Sequence, residues 1–192
     1  MQDFPGWTVQ FELLYRQEQS RHASGRTRVK DFGTPIWTAS YQSRQMRPNE
    51  LDEWRARLNL LENGLNTFQA WPMSRCWPIR HPNGVGAVNG TIAAVGLDNK
   101  SLSITWNSGG PTILSVGDYI NVNGLRLHQV TELRGAGVVG VAPFLSTGIL
   151  VGQAVDVSQP SVAMTLQPGS INTQTGLNGR GSVTFQAIEA RG

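Results

Sequence analysis

Apolar and polar residues alternate near the start of the chain, where the sequence is WTVQFELLYRQEQ over residues 7–19. Polar residues at positions 8, 10 and 12 alternate with four apolar residues, namely Trp7, Val9, Phe11 and Leu13. Because successive side chains of a β-strand point to opposite faces, this pattern predicts a strand with one buried face. The stretch 16–30 is polar on both faces around Gly25, which predicts a long hairpin that reaches into solvent or onto a neighbour.

Two further strands are predicted within RVKDFG and PIWTASYQSRQM, before the one clear helical pattern, PNELDEWRARLNLLENG at residues 48–64. Asn49 is the predicted N-cap of this helix, and Gly64 is expected to end it in a left-handed conformation. NTFQAWPMS then predicts a strand that Pro72 stops. The apolar stripe of the helix recurs at helical spacing and consists of Leu51, Trp54, Leu58 and Leu61.

The middle of the chain predicts β-structure throughout. Six short runs rich in Val, Ile and Thr are separated by turn residues at intervals of about ten. The runs are GTIAAVGLD, SLSITWN, TILSVGDYINVNG, LRLHQVTEL, GVVGVAPF and QAVDVSQ. Asn123-Gly124 is a strong hairpin signal, because both residues of such a turn take positive φ. This many short strands predict a small barrel or sandwich.

A shift in composition divides the chain. Residues 79–160 carry 13 of the 22 glycines but four Lys/Arg and four Asp/Glu, whereas residues 1–78 carry ten and eight. The tail contains two alternating strands, VAMTL and SVTFQAIEA, around a polar, glycine-rich loop, and it resembles the first part more than the middle. We therefore predict one domain from residues 1–78 plus 161–192, with residues 79–160 inserted as a separate β module.

Composition excludes several classes of protein. The single cysteine, Cys76, permits no internal disulfide, and we expect a buried, inert thiol. The net charge of +3 is small, and the basic residues form no run, so nucleic-acid binding is not favoured. The N-terminus lacks the pattern of a signal peptide, and no apolar run is long enough for a membrane helix. We expect a soluble protein that is made and assembled in a cytoplasm.

His128, in LRLHQVT, is the most conspicuous candidate for chemistry. Alternation places it on the same strand face as Arg126 and Val130, and no carboxylate, thiol or metal-ligand set accompanies it at a recognisable spacing. A packing role is therefore expected. Asp118 follows a glycine at the start of a strand, and we expect it to accept hydrogen bonds from neighbouring backbone amides. His22 and His81 lie in turn-like segments that suggest no triad or metal site.

Other residue patterns favour structural roles. The glycine-rich NGVGAVNG, residues 83–90, lacks the lysine and the following helix of a phosphate-binding loop. Trp37, Trp54 and Trp71 lie on elements that must pack together, so they are expected to build the core of the first domain. The sequence predicts no catalytic, cofactor-binding or metal-binding residues.

The order of these elements resembles a known family through four stretches: TFQAWPMSRCWPI, SVGDYINVNGLRLHQVTE, VAPFLSTGILVGQAV and the closing GSVTFQAIEA. Together they resemble tail proteins of long-tailed bacteriophages, and most of all the distal tail protein, also termed the tail hub adaptor. Gly117, Asp118 and Tyr119 open a strand of this pattern, and Ala142-Pro143 closes the module. The resemblance covers nearly the whole chain, although its motifs are structural and other minor tail proteins carry similar β modules.

This resemblance implies a first domain with the tail-tube fold, a β-sandwich flanked by one helix, of which six copies close into a ring. It implies that the inserted module is an outward-facing barrel, similar to an oligonucleotide/oligosaccharide-binding (OB) or galectin-like fold. Such a homo-hexameric ring joins the tail tube protein to the baseplate hub and other tail-tip proteins of the virion. The ring has no membrane partner, DNA meets it only by passing through its channel, and the family has no catalytic residue to carry over.

Three further interpretations follow from the residues. The basic residues of the polar hairpin predict an arm that contacts a neighbouring subunit, or else a solvated surface hairpin; they are Arg16, Arg21, Arg26, Arg28 and Lys30. The alternative function is recognition of cell-surface carbohydrate, with Trp106 and Tyr119 as aromatic platform residues. A cell-wall hydrolase would need paired acids, for which Asp98 and Asp118 form the one candidate pair.

Overall fold

The computed structural model describes residues 3–73, 75–86, 88–107, 113–135, 137–146 and 148–190. The predicted fold class is confirmed: the protein is mainly β, with one α-helix among the described residues and a closed six-stranded barrel. Four positions of the predicted segments lie outside the described residues, namely Ser74, Ala87, Thr112 and Thr147.

The first part of the chain forms five strands and the helix. In chain order they are β1 Gly6–Leu14, β2 Gln17–Arg21, β3 Thr27–Asp31, β4 Ile36–Ser43, α1 Pro48–Asn59, a 3₁₀ turn Glu62–Gly64, and β5 Thr67–Ala70.

The middle forms β6 Asn89–Val95, β7 Ser101–Trp106, β8 Tyr119–Val122, β9 Arg126–Leu133, β10 Val138–Ala142 and β11 Ala154–Asp156. Each of the six predicted runs contains one of these strands. They close into a barrel in the order β10-β7-β6-β11-β8-β9. The predicted Asn123-Gly124 turn is confirmed, with φ of 54° and 68°, and it joins β8 to β9.

The tail forms β12 Val162–Leu166, β13 Asn172–Thr175 and β14 Gly181–Glu189. These strands join β1, β4 and β5 in one sheet of order β1-β4-β14-β12-β5, with β13 paired to the first half of β14. The short strand β13 lies in the loop that the sequence predicted to be irregular. Along the chain, the barrel strands thus lie between two sets of strands that belong to the sheet. That the sheet and the barrel fold as independent domains stays a prediction.

Helix α1 covers one face of the sheet. Leu51, Trp54 and Leu58 are buried against it, as the apolar stripe predicted, and the ring of Trp54 meets that of Phe4 edge-on at 5.2 Å. The predicted cap at Asn49 is wrong. Arg47 is the N-cap residue and makes no side-chain capping bond, because Pro48 occupies the first turn and sets its φ without needing an N–H partner.

The end of α1 also differs from the prediction. The α-helix ends at Asn59, and the left-handed conformation begins at Glu62 and Asn63, before Gly64 with its φ of 108°. A glycine is still required at position 64, because a Cβ there would lie 2.6 Å from the carbonyl oxygen of Leu166.

The predicted apolar face of β1 is only half correct. The pairing of β1 with β4 shifts between Thr8 and Gln10, so Val9 is an extra residue in the strand. One extra residue moves the following side chains to the other face of a strand. Phe11 and Leu13 therefore pack on the sheet core, whereas Trp7 and Val9 are 48% and 51% exposed.

Candidate functional site

One edge of the sheet carries a row of exposed apolar side chains. β1 pairs with β4 on one side and is the end strand of the sheet on the other, among the described residues. We define the β1 edge surface as the large exposed side chains of this strand and its exit: Trp7, Val9, Leu14 and Tyr15, each about half exposed. Unpaired strand edges template pairing with another chain, and proteins usually blunt them with charge. This edge exposes Gln10 and Glu12, and it also carries a row of apolar and aromatic groups that is typical of an interaction surface.

The opposite edge of the same sheet is also open. β5 ends the strand order beyond β12. Leu60 and Leu65, just before β5, are 73% and 79% exposed, and we name them with β5 the β5 edge surface. Asn66 donates its side-chain amide to the carbonyl oxygen of Leu60 at 2.8 Å, which holds this connection beside the edge. The sheet therefore presents two different open edges among the described residues, each with large exposed apolar side chains on or beside it.

The polar hairpin of β2 and β3 extends from the end of β1. The predicted hairpin is confirmed, with Gln17 opposite Asp31 and Arg21 opposite Thr27, and all ten strand residues are exposed. Its five basic side chains form no ion pair with any described residue.

The barrel is attached to the sheet by a buried contact that we name the joint. The indole Nε1 of Trp37 donates to the carbonyl oxygen of Leu127 at 2.8 Å, which links β4 to β9. The backbone N–H of Trp37 donates to Oε2 of Glu189 at 2.9 Å, and Oε1 of Glu189 lies 3.8 Å from Nη1 of Arg126. Since the Glu189 side chain is only 5% exposed, this carboxylate is held in place by β4 and β9 together.

Aromatic rings complete the joint. Tyr119, at the start of β8, lies 6.0 Å from Phe11 and 5.7 Å from Trp37 between ring centroids. Burial raises the pKa of Tyr119 above its ordinary value. Leu127 is buried in the core of the sheet rather than in that of the barrel. The barrel strand β9 therefore packs on both, which limits how far the barrel can rotate relative to the sheet.

His128 lies in the barrel wall and is 2% exposed. Its direct cross-strand neighbour, Ile120, belongs to the barrel core, as does Val130 on the same face. Nδ1 of His128 lies 2.9 Å from the carbonyl oxygen of Pro143, just after β10. Burial among apolar residues with a backbone partner agrees with the packing role that the sequence predicts.

Asp118 behaves as expected of a turn residue. Its Oδ1 accepts a hydrogen bond from the backbone N–H of Ile79 at 2.8 Å, and its Oδ2 accepts one from Ser115 at 2.7 Å. The carboxylate thereby fixes the loop before β8 to the segment that enters the barrel. Asp98 lies elsewhere, in the turn between β6 and β7, where the backbone N–H of Lys100 holds its pKa below the usual range. No contact between the two carboxylates supports an acid pair.

The structure does not bring the two candidate carbohydrate-binding residues onto one platform. Trp106, on β7, is half-buried and packs over Gly90, where an added Cβ would lie 3.0 Å from the indole ring. Tyr119 is on β8, on the opposite side of the barrel with two strands between it and β7, and its ring lies in the joint. Carbohydrate binding stays a prediction, with no shared aromatic surface among the described residues to carry it.

The other residues to which the sequence analysis assigned a role lie in separate parts of the structure. Cys76 is half-buried rather than buried, and its burial raises the pKa of the thiol. Trp37 and Trp54 are core residues as predicted, whereas Trp71 is half-buried and contributes its carbonyl oxygen to the Tyr41 hydroxyl. Within the part of the chain that the structure describes, no three His, Cys, Asp or Glu residues are grouped to hold a metal ion.

Sequence reasoning missed the two edge surfaces and the joint. The edges depend on the strand order and on the bulge at Val9, which no local pattern announces. No helix of the described residues is both long and apolar enough to span a membrane. Compared with models of known protein families, the chain matches none, and no curated protein matches it.

Proposed function

We propose that this chain is a structural subunit of a phage virion, which forms a homo-oligomeric ring at the distal end of a long tail. The ring joins the tail tube to the hub and to the host-attachment proteins. The observation that carries the proposal is the pair of open, apolar edges at opposite sides of one sheet. The resemblance of the sequence to distal tail proteins supports the same function.

Two different edges favour a ring over a simple dimer. A two-fold dimer uses one surface twice, whereas a head-to-tail contact uses two surfaces and closes into a ring when the rotation fits. Four antiparallel steps separate β1 from β5, so the two edge strands run in the same direction within the sheet. A contact that continues the sheet therefore pairs β1 with the neighbour's β5 in parallel. A hexamer is the ring size that the resemblance implies.

The joint gives the proposed ring a defined outer surface. Because Trp37 donates to Leu127 and Glu189 lies beside Arg126, the barrel is held against the sheet and carried with it. Each subunit would then display its barrel at the same position around the ring. Contact of the hairpin with a neighbouring subunit stays a prediction within this proposal.

Charge substitution at each edge tests the ring. Val9→Lys and Leu65→Lys place a cation on the β1 and β5 edge surfaces, and Leu97→Lys, in the exposed turn between β6 and β7, is the control. We expect the wild type and the control to form closed rings in negative-stain images and by analytical ultracentrifugation at high protein concentration. Each edge variant should remain monomeric.

Mixing the two edge variants distinguishes a head-to-tail contact from a two-fold one. Val9→Lys keeps an intact β5 edge and Leu65→Lys an intact β1 edge, so an equimolar mixture should form dimers but no rings. Dimers of Leu65→Lys alone would indicate β1 paired with itself and would contradict the ring. A wild type that stays monomeric at every concentration, or an edge variant that assembles normally, would also refute the proposal.

The position in the virion needs a separate experiment. Antibodies raised against the purified chain should label the distal end of tails in electron micrographs of the particles that contain it. Labelling along the tube, on the capsid, or of unassembled protein alone would contradict a distal tail function.

A further inference from the structure

The hairpin of β2 and β3 concentrates the charge of the protein. Residues 16–31 carry five basic side chains and two carboxylates, which leaves a net charge of +3, equal to that of the whole chain. All ten strand residues are exposed, and none of the five cations forms an ion pair with a described residue. The hairpin is therefore an exposed two-stranded ribbon whose positive charges are not offset by ion pairs with other described residues.

Strand geometry places three of these cations in one row along β3. Residues directly opposite in an antiparallel pair share a face, and the register places Lys30 opposite Glu18 and Arg28 opposite Ser20. Arg26 is two residues before Arg28, and its carbonyl oxygen accepts the backbone N–H of His22 at 2.9 Å, which continues the ladder. We define the basic face as Arg26, Arg28 and Lys30.

The three cations are evenly spaced along this face. Alternate residues of an antiparallel strand are about 6.8 Å apart, so the basic face extends about 14 Å from Arg26 to Lys30. Phe32 continues the row, with its ring 5.2 Å from Nζ of Lys30. A linear array of cations beside an exposed aromatic ring matches a linear polyanion better than a single small anion.

We propose that the basic face of the β2–β3 hairpin binds the phosphate backbone of nucleic acid. Double-stranded DNA presents one negative charge per about 1.7 Å of its axis, and its major groove is wide enough to admit a two-stranded β-ribbon. The hairpin supplies both the ribbon shape and the complementary charge. This inference does not depend on the proposed ring.

The acidic side chains on helix α1 of a second copy of the chain fit this face less well. The outer side of α1 carries Glu50, Asp52 and Glu53, but each already pairs with an arginine of its own chain: Arg44, Arg55 and Arg57. A hairpin that approached this helix would meet carboxylates whose charge is already offset. An external polyanion has no such competitor, so charge complementarity favours it.

Fluorescence anisotropy with the purified full chain tests the proposal. The probes are a short labelled DNA duplex and a single strand of the same sequence, titrated between about 50 and 200 mM salt. The test variant is the triple substitution Arg26→Gln, Arg28→Gln and Lys30→Gln. The matched control removes the same charge from exposed arginines outside the hairpin, as Arg47→Gln, Arg80→Gln and Arg180→Gln.

We expect the hairpin variant to bind the duplex at least about tenfold more weakly at low salt, and the control to stay within about threefold of the wild type. Three lost phosphate contacts should also reduce the slope of log affinity against log salt by about two to three. A preference for the duplex agrees with its higher charge density and with a groove that admits the ribbon, and equal binding indicates contacts with the phosphate backbone alone. Either result supports the proposal.

Three results would overturn the proposal. The first is an absence of DNA binding by the wild type at low salt, and the second is an equal loss of affinity in both triple variants. The third is displacement of the duplex by poly-glutamate as readily as by unlabelled DNA, which would assign the face to acidic proteins. Arg28→Glu, a single exposed change, provides a second probe if the hairpin triple variant folds poorly by circular dichroism.

Discussion

Removal of the Trp54 side chain should destabilise the sheet more than any change on the β1 edge. Trp54 is 7% exposed, its ring meets that of Phe4 edge-on at 5.2 Å, and the guanidinium of Arg57 lies 4.8 Å above it. Trp→Ala at a buried site costs about 3–5 kcal/mol through lost burial and the cavity that remains. The edge-on ring pair accounts for about 0.5–1.5 kcal/mol of that cost.

Trp7→Ala is the matched control, because the same side chain is 48% exposed on β1. An exposed substitution away from caps and turns usually changes stability by no more than about 0.5 kcal/mol. The assay is urea unfolding followed by far-UV circular dichroism, since each variant loses a tryptophan and would distort a fluorescence signal. If the sheet and the barrel unfold in separate transitions, Trp54→Ala should shift only the one that belongs to the sheet.

Two results would refute this reasoning. A cost of less than about 1 kcal/mol for Trp54→Ala would mean that α1 is not anchored on the sheet as its contacts indicate. Equal costs for Trp54→Ala and Trp7→Ala would mean that Trp7 is covered in the isolated protein. If the ring proposal holds as well, Trp7→Ala should weaken assembly without changing the stability of the monomer.

Three further predictions concern the barrel. Gly124→Val should cost roughly 1–3 kcal/mol of stability, because Gly124 has φ of 68° and a β-branched residue is strained there. Gly124→Asn should cost less, and equal shifts of the thermal midpoint in the two variants would contradict this role of the positive φ. His128→Leu should cost about 1–3 kcal/mol because it leaves the Pro143 carbonyl oxygen without its partner, and His128→Gln should cost less. If the proposed virion function holds, loss of infectivity in a folded, incorporated Gln variant would indicate a chemical role. Replacement of residues 80–160 by a short Gly/Ser linker should leave a sheet that folds but is less stable, because Trp37 loses its contacts with the barrel. A product that is unfolded by circular dichroism would contradict the prediction of two separate domains.

The barrel strands could be predicted from the sequence because local signals and tertiary structure agree there. Each run is short, rich in β-branched residues and bounded by turn residues, and Asn123-Gly124 fixes one hairpin by backbone conformation alone. The helix was predicted for the same reason, through the stripe of Leu51, Trp54 and Leu58. Its start was misplaced because Asn49 has the side chain of a cap, whereas Pro48 was the stronger signal for the first turn.

The exposed β1 edge could not be predicted, because it depends on an inserted residue. The alternation of residues 7–13 assumes one residue per position, and the bulge at Val9 breaks that count without any change in residue type. The basic face could not be predicted from the sequence for a different reason. A search for consecutive basic residues fails on Arg26, Arg28 and Lys30, since a strand gathers alternate residues rather than neighbours.

The position of β14 sets the distance between the two edge surfaces of the sheet. β14 is the last strand in sequence, yet it lies in the centre of the sheet, between β4 and β12. Without it the sheet divides into β1 with β4 on one side and β12 with β5 on the other, so no fixed relation exists between the two edges. The barrel is made before β14, and Glu189 at the end of β14 then accepts the Trp37 backbone N–H beside Arg126 of the barrel. The chain therefore acquires both edge surfaces, at their final separation, only after the barrel and the closing strand are complete.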